Sequence, residues 1–254
     1  SPPEDLRAAG QAAEQAGLDE VWLWEDCFLE SGIAAASAAL AWTDRLVIGI
    51  GLLPVPLRNV AVTAMEIATL ERLFPGRVRI ALGHGVQDWM AQAGVRPESP
   101  LSLMREYFTA LRGLLAGRTV TVSGDYVRLS DVALGWPPSP APHLLMGASG
   151  PRSLRLCGEL ADGVVLAGDV SPAAVVAART VLAEGRVAAA RLGEPEIVVY
   201  LPALADSGVQ AVADDVRRSI DVGATTVVLE PSANEPDIAS YFRFAAQAFA
   251  RVPR

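Results

Sequence analysis

The sequence predicts a parallel α/β barrel, and three observations carry the prediction. Short β-rich runs alternate with helical stretches along the whole chain, the pattern of repeated strand–helix units. The runs are almost continuously apolar rather than strictly alternating, as parallel strands covered on their outer face must be. A length of 254 residues suits one undivided α/β barrel, and no linker-like stretch splits the chain.

Residues 2–16 place Leu6, Ala9, Ala13 and Ala16 on one helical face, and Ser1-Pro2-Pro3-Glu4 before them reads as a capping box with proline in the first turn. The first strand is expected at 19–26 (DEVWLWED), followed by an alanine-rich helix from Gly32 to Trp42. Strands at 45–55 (RLVIGIGLLPV) and 77–83 (RVRIALG) flank a helix at 59–73, which Pro75-Gly76 stops. After a helix at 101–116, residues 119–129 (TVTVSGDYVRL) hold two alternating runs around Ser-Gly-Asp, an inserted β-hairpin. A proline-rich segment, 136–142, leads into a strand at 143–148 (HLLMGA). Strands at 162–167 (DGVVLA), 197–204 (IVVYLPAL) and 225–230 (TTVVLE) are separated by helices at 172–191 and 208–222.

That gives seven strands, where a (β/α)8 TIM-type barrel needs eight, and the chain opens on a helix. The place for the missing strand is before Ser1. The reading adopted is one barrel domain over residues 1–254 with its first strand absent; the other option is an open sheet.

Composition narrows the chemistry. A net charge of −8 with no basic stripe argues against nucleic acid as a partner. No apolar run is long enough to span a bilayer, and no charged and then apolar leader opens the sequence, so a cytoplasmic setting is expected. Cys27 and Cys157 form no CxxC, in keeping with a reducing compartment. All 21 basic residues are arginine, so lysine Schiff-base chemistry is excluded. With only His84 and His143, no metal site of the multi-histidine kind is expected.

In parallel α/β folds ligands bind beyond the carboxyl ends of the strands. Those ends read Trp24-Glu25-Asp26, Gly51-Leu52-Leu53-Pro54, Gly83-His84-Gly85, Gly147-Ala148-Ser149-Gly150-Pro151 and Leu166-Ala167-Gly168-Asp169. Glycine recurs where backbone must approach a ligand or adopt positive φ. Trp24, Glu25 and Asp26 are the catalytic candidates, since a carboxylate at a barrel mouth can orient substrate or accept a proton; it can equally cap a loop. Gly147-Ala148-Ser149-Gly150 before a helix start is a candidate anion site, with Arg152 able to close it. Asn59 is placed either to touch a ligand or to cap its helix. Arg105-Glu106 reads as a helix ion pair, and Met146, Tyr107 and Phe108 as core.

The runs GIGLLPVPLRN, AMEIATLERLFPGRVRIALGHGVQDWM, SPLSLMREYFTALRGLL and LCGELADGVVL resemble the bacterial luciferase-like monooxygenase superfamily, and within it the branch that uses the deazaflavin coenzyme F420. The resemblance implies a (β/α)8 barrel with a hairpin insertion, a flavin or deazaflavin lying across the barrel mouth, and hydride transfer at its central ring. It implies a bulge at Gly51-Leu52, often with a non-prolyl cis peptide, behind the ring. It places His84, flanked by Gly83 and Gly85, against the cofactor phosphate, and Gly147, Ala148, Ser149, Gly150 and Arg152 around that anion. Asp88 and Trp89 follow on the His84 loop, where Trp89 could wall the ring, and Asn59 could reach the ring edge. The expected function is hydride transfer between reduced F420 and a small organic substrate. The alternatives are an FMN-dependent monooxygenase and a non-catalytic relative that binds no cofactor productively. A phosphate-handling isomerase barrel would need an acid–base set that is hard to assemble here. The alanine-rich helix suggests a homodimer.

Overall fold

The computed structural model describes residues 2–168, 170–232 and 237–253. Ser1, from the expected capping box, and Asp169, from one expected strand end, lie outside the described residues. A short 3-10 turn, Pro3–Asp5, leads into α1 (Leu6–Gln15), β1 (Glu20–Leu23), α2 (Gly32–Trp42) and β2 (Val47–Pro54). Then come α3 (Val60–Leu73), β3 (Val78–Gly83), the short α4 (Gln87–Gln92) and α5 (Pro100–Leu115). The hairpin β4 (Val120–Ser123) and β5 (Arg128–Val132) precedes β6 (Leu144–Gly147), α6 (Pro151–Leu160), β7 (Gly163–Leu166) and α7 (Pro172–Ala188). The chain closes with β8 (Glu196–Pro202), α8 (Val209–Asp221), β9 (Thr226–Glu230) and α9 (Ile238–Phe249).

Local chemistry explains where the helices begin. Ser99 and Ser171 each accept an N–H of the first turn, with Pro100 and Pro172 next in the helix. Seven strands pair in parallel in the order β1-β2-β3-β6-β7-β8-β9 and roll into a nearly closed barrel, while β4 and β5 pair antiparallel outside it. The expected strand number and the hairpin are both found. Helix α9 and the short α4 were not anticipated.

Two apolar layers hold the barrel. Outside, Ile48, Ile50, Ile80, Leu82 and Leu144 pack against α3 and α5, where Met104, Tyr107, Phe108 and Leu111 are buried. Each such side chain is worth about 1.5–3 kcal/mol in burial. The Tyr107 hydroxyl donates to Thr63 Oγ1 at 2.7 Å, and burial pushes its pKa up to about 12. Glu106 departs from the expected pairing with Arg105. It accepts the backbone N–H groups of Asp125, Tyr126 and Val127 and so clamps the hairpin to α5, while Arg105 reaches Glu159 at 2.6 Å.

Inside, strand alternation sorts the side chains into rows. The row at the amino ends is polar and mostly charged: Glu20 on β1, Arg79 on β3, Glu196 on β8 and the neutral Thr226 on β9. The next is apolar: Trp22, Ala81, Leu145, Val165, Val198 and Val228 cluster, with Tyr200 and Leu52 above them. Arg79 lies 5.2 Å from the Trp22 ring, donates to Glu20 Oε1 at 2.8 Å and Thr226 Oγ1 at 3.4 Å, and pairs with Glu196. Strands β1 and β9 are the two ends of the sheet and share no ladder. The guanidinium ties them across the interior where backbone hydrogen bonds do not. Removing it leaves two carboxylates facing each other with little solvent. Arg79→Met should lower the unfolding free energy by about 3 kcal/mol in chemical denaturation; a loss below about 1 kcal/mol, the scale of an exposed pair, would show that the edges are held without it.

Candidate active site

The carboxyl rim of the barrel is built around one bulge. Register between β2 and β3 shifts between Gly51 and Leu53, and the Gly51–Leu52 peptide is cis. Leu52 belongs to the interior cluster. Its Cδ2 atom stands 2.6 Å from where a Cβ on Gly83 would sit and 2.3 Å from where one on Gly147 would sit. The two glycines lie side by side, one residue beyond the Leu82–Met146 pair. The sequence suggested that they clear room for a ligand directly. In the structure the room beside Gly83 and Gly147 is taken by Leu52, whose side chain spans β3 and β6. Gly51 answers a similar demand, because a Cβ there would fall 2.3 Å from the Tyr200 hydroxyl and 2.9 Å from the Trp22 ring. Gly85 adopts φ +68°, and a Cβ on it would press on Met90 and Pro54.

The same rim also carries aromatic and acidic side chains. Trp24, just past β1, packs on Tyr200 with ring centroids 5.8 Å apart, and Trp22 meets the same ring edge-on at 6.2 Å. Tyr200 is buried, and the Trp24 indole lies against its hydroxyl. Burial first, and then the Glu230 carboxylate, raise its pKa. Glu230 ends β9, and its carboxyl is raised by burial. Asp26 is raised by burial and by Glu30. Sequence reasoning missed Tyr200 and Glu230. Glu230 stands at the end of the predicted strand 225–230, which was an available signal, whereas Tyr200 lies inside the predicted strand 197–204 and carried no such signal.

Beyond β6, Ser149 and Gly150 are exposed and α6 begins at Pro151. Gly150 caps α6 without a side-chain acceptor, and the Ser153 hydroxyl turns back onto Gly150 O at 2.8 Å. Arg152 is exposed in the first turn and forms no ion pair among the described residues. Open N–H groups, the helix dipole and a free guanidinium are together fit for an anion. His84 is half-buried at the end of β3, with Nδ1 2.9 Å from Gly85 O, and Gln87 donates to His84 O at 3.1 Å.

Several expected site residues have other occupations. Glu25 accepts the Gly32 N–H at 2.6 Å and Arg58 at 2.5 Å, so it caps α2 and anchors the β2–α3 connection. Asn59 accepts the Ala61 N–H at 2.9 Å, which makes it the N-cap of α3. Asp88 is exposed in the first turn of α4, and Trp89 is half-buried beside it. Among the described residues no group of three or more His, Cys, Asp or Glu is arranged to hold a metal.

Residues 1–250 match the sequence model of the luciferase-like monooxygenases. A 5,10-methylenetetrahydromethanopterin reductase of Methanolobus tindarius is 30% identical over 228 residues, which cover 88% of this chain and 69% of that protein. An F420-dependent glucose-6-phosphate dehydrogenase of Microbacterium testaceum is 31% identical over 183 residues, 67% of this chain and 54% of that one. The chain thus spans between half and somewhat over two thirds of the length of these relatives. Among solved structures, an F420-dependent secondary alcohol dehydrogenase bound to an F420–acetone adduct superposes with a TM-score of 0.89 at 19% identity, covering 100% of this chain and 96% of that one. The coenzyme F420-dependent tetrahydromethanopterin reductase of Methanopyrus kandleri gives 0.83 at 20% identity, over 98% and 95%. At such identities the superpositions speak for the barrel; the sequence match over nearly the whole chain speaks for descent, and this chain belongs to the luciferase-like monooxygenase family.

Proposed function

We propose that this chain is an oxidoreductase of one barrel unit over residues 1–254, moving a hydride between the deazaflavin coenzyme F420 and a small organic substrate. The observation that carries the reading is the Leu52 platform. An apolar side chain laid over two glycines of adjacent strands, with aromatic side chains beside it, suits a planar ring system with one face on Leu52. The F420 dependence named for several relatives and neighbours points the same way.

Leu52 and the Gly51 bulge would support the ring, the Gly150–Ser153 turn with Arg152 would hold the phosphate, and His84 would stand between them. The deazaflavin, when bound, supplies the hydride chemistry. The protein's part is alignment and exclusion of water. Trp22, Val165, Val198 and Val228 form an apolar layer beneath the platform. Trp24 and Tyr200 hold the substrate side. The rim offers no serine–histidine or cysteine–histidine pair for covalent chemistry among the described residues, and hydride transfer requires none.

We also propose a homodimer and a cytoplasmic setting. The outward side of α2 carries Ala34, Ala41 and Trp42, and Val62 and Met65 stand exposed three apart on α3. Two free cysteines, and the lack of any described helix long and apolar enough to cross a membrane, accord with this setting.

Two outcomes are expected. In fluorescence titration the chain binds F420 in preference to FMN, and Arg152→Ala weakens that binding about tenfold, about 1.4 kcal/mol, with no change in melting temperature. Preference for FMN would favour the monooxygenase reading, and failure to bind either would favour a non-catalytic relative. In sedimentation velocity the native chain runs as a dimer and Met65→Arg as a monomer; a native monomer would remove the dimer proposal.

A further inference from the structure

A hollow of about 310 Å3 lies between the β2–α3 connection, the α4–α5 connection and the hairpin, and no residue of the Leu52 platform lines it. Its floor is apolar: Val55, Val60, Leu103, Tyr107 and Val127 are all buried. Its walls are held by bonds already made. Glu106 fixes the hairpin tip through the backbone N–H groups of Asp125, Tyr126 and Val127, and the Tyr126 hydroxyl accepts the Ser99 N–H at 2.7 Å, which ties the tip to the start of α5. The space is therefore formed before a guest arrives, and little ordering is needed to fill it. Sites for small molecules begin at roughly 300 Å3, so one ring or a short branched body fits here and a deazaflavin coenzyme does not.

The polar side chains around this space are donors. Arg58, Arg96 and Arg128 line it, and no carboxylate does. Arg58 is held by Glu25 at 2.5 Å and lies 3.9 Å from Glu66, which offset its charge, but its Nε is buried without a hydrogen-bond partner. Arg96 is exposed and forms no hydrogen bond or ion pair among the described residues. Arg128 donates through Nε to Gly124 O at 3.3 Å, which leaves its two Nη groups open. Tyr126 accepts from Ser99 and keeps its own hydroxyl hydrogen for a guest. A guest that brings acceptors and negative charge is favoured over a cation. An apolar body on that guest is favoured as well, because it takes the floor out of water.

We propose that this hollow binds a small organic anion, a carboxylate or phosphate carried on an apolar body the size of one ring. Arg96 and Arg128 hold the anionic group, and Val55, Leu103 and Tyr107 lie under the body. The site is additional to the one proposed for the cofactor: Leu52, His84 and the Gly150–Ser153 turn take no part in it. It stands whether or not the chain uses F420. The guest touches both the hairpin tip and the connection that follows β2, so it joins two segments that are remote in sequence. Binding to the folded chain alone should therefore raise the melting temperature as the anion concentration rises.

The test is isothermal titration calorimetry on the full chain with benzoate, phenyl phosphate, inorganic phosphate and benzylamine as probes. At least one of the two aryl anions should bind, and the tighter of them identifies the anionic group. Inorganic phosphate, which lacks the apolar body, should bind at least tenfold more weakly, and benzylamine should not bind. Arg96→Gln combined with Arg128→Gln should weaken the aryl anion about a hundredfold at an unchanged melting temperature. Val95→Trp, which fills the hollow and keeps both arginines, should abolish binding. In methyl NMR the shifts caused by the aryl anion should centre on Val55, Val60, Leu103 and Val127, with or without F420 present. The inference is overturned if neither aryl anion binds, if inorganic phosphate or benzylamine binds as tightly, or if either variant binds as the native chain does. It is equally overturned if the methyl shifts fall elsewhere, or if the aryl anion and F420 exclude one another, which would put the anion in the cofactor's place.

Discussion

The rim of this barrel depends on a steric constraint at Leu52. Its side chain occupies the space that side chains on Gly83 and Gly147 would need, and the backbone that delivers it passes through Gly51, where the Tyr200 hydroxyl leaves no room for a Cβ. Three glycines on three adjacent strands are thus fixed by two side chains. Each constraint is repulsive and short-ranged, so none tolerates even one added methyl group without movement of a neighbour. What results is an apolar side chain laid over β3 and β6 at the rim, with Tyr200 and Trp24 packed nearby.

The amino end of the barrel solves a different problem. Strands β1 and β9 share no ladder, so the interior must hold the cylinder together. Arg79 does so by reaching Glu20, Glu196 and Thr226 from β3 and lying over Trp22. The same Trp22 then packs on Tyr200 and limits Gly51. A chain of direct contacts therefore runs from the charged floor to the bulge, and the geometry of the rim is inherited from the closure of the barrel.

Much of this was legible in the sequence, for physical reasons. Parallel strands buried on both faces are apolar along their length, so all seven were readable, as was the hairpin with its alternating runs around Ser123-Gly124-Asp125. The resemblance motifs pointed to Gly51-Leu52, and the bulge lies there. The sequence could not show what the glycines make room for, because their partner, Leu52, comes from another strand. Nor could it show that Glu25 is occupied by Arg58, 33 residues away, or that Glu106 serves the hairpin. Tyr200 and Glu230 went unread because inward and outward positions on an all-apolar strand look alike. Only the charged row, with Glu196 and Thr226 on Arg79, fixes the phase.

The most direct test of the account is a crystal structure of the chain with oxidised F420 bound. The account predicts one face of the deazaflavin ring on the Leu52 side chain, which keeps its place over Gly83 and Gly147, with the phosphate at the Gly150–Ser153 turn. A ring bound elsewhere, or a Leu52 side chain swung out of the barrel to admit it, would contradict the central claim.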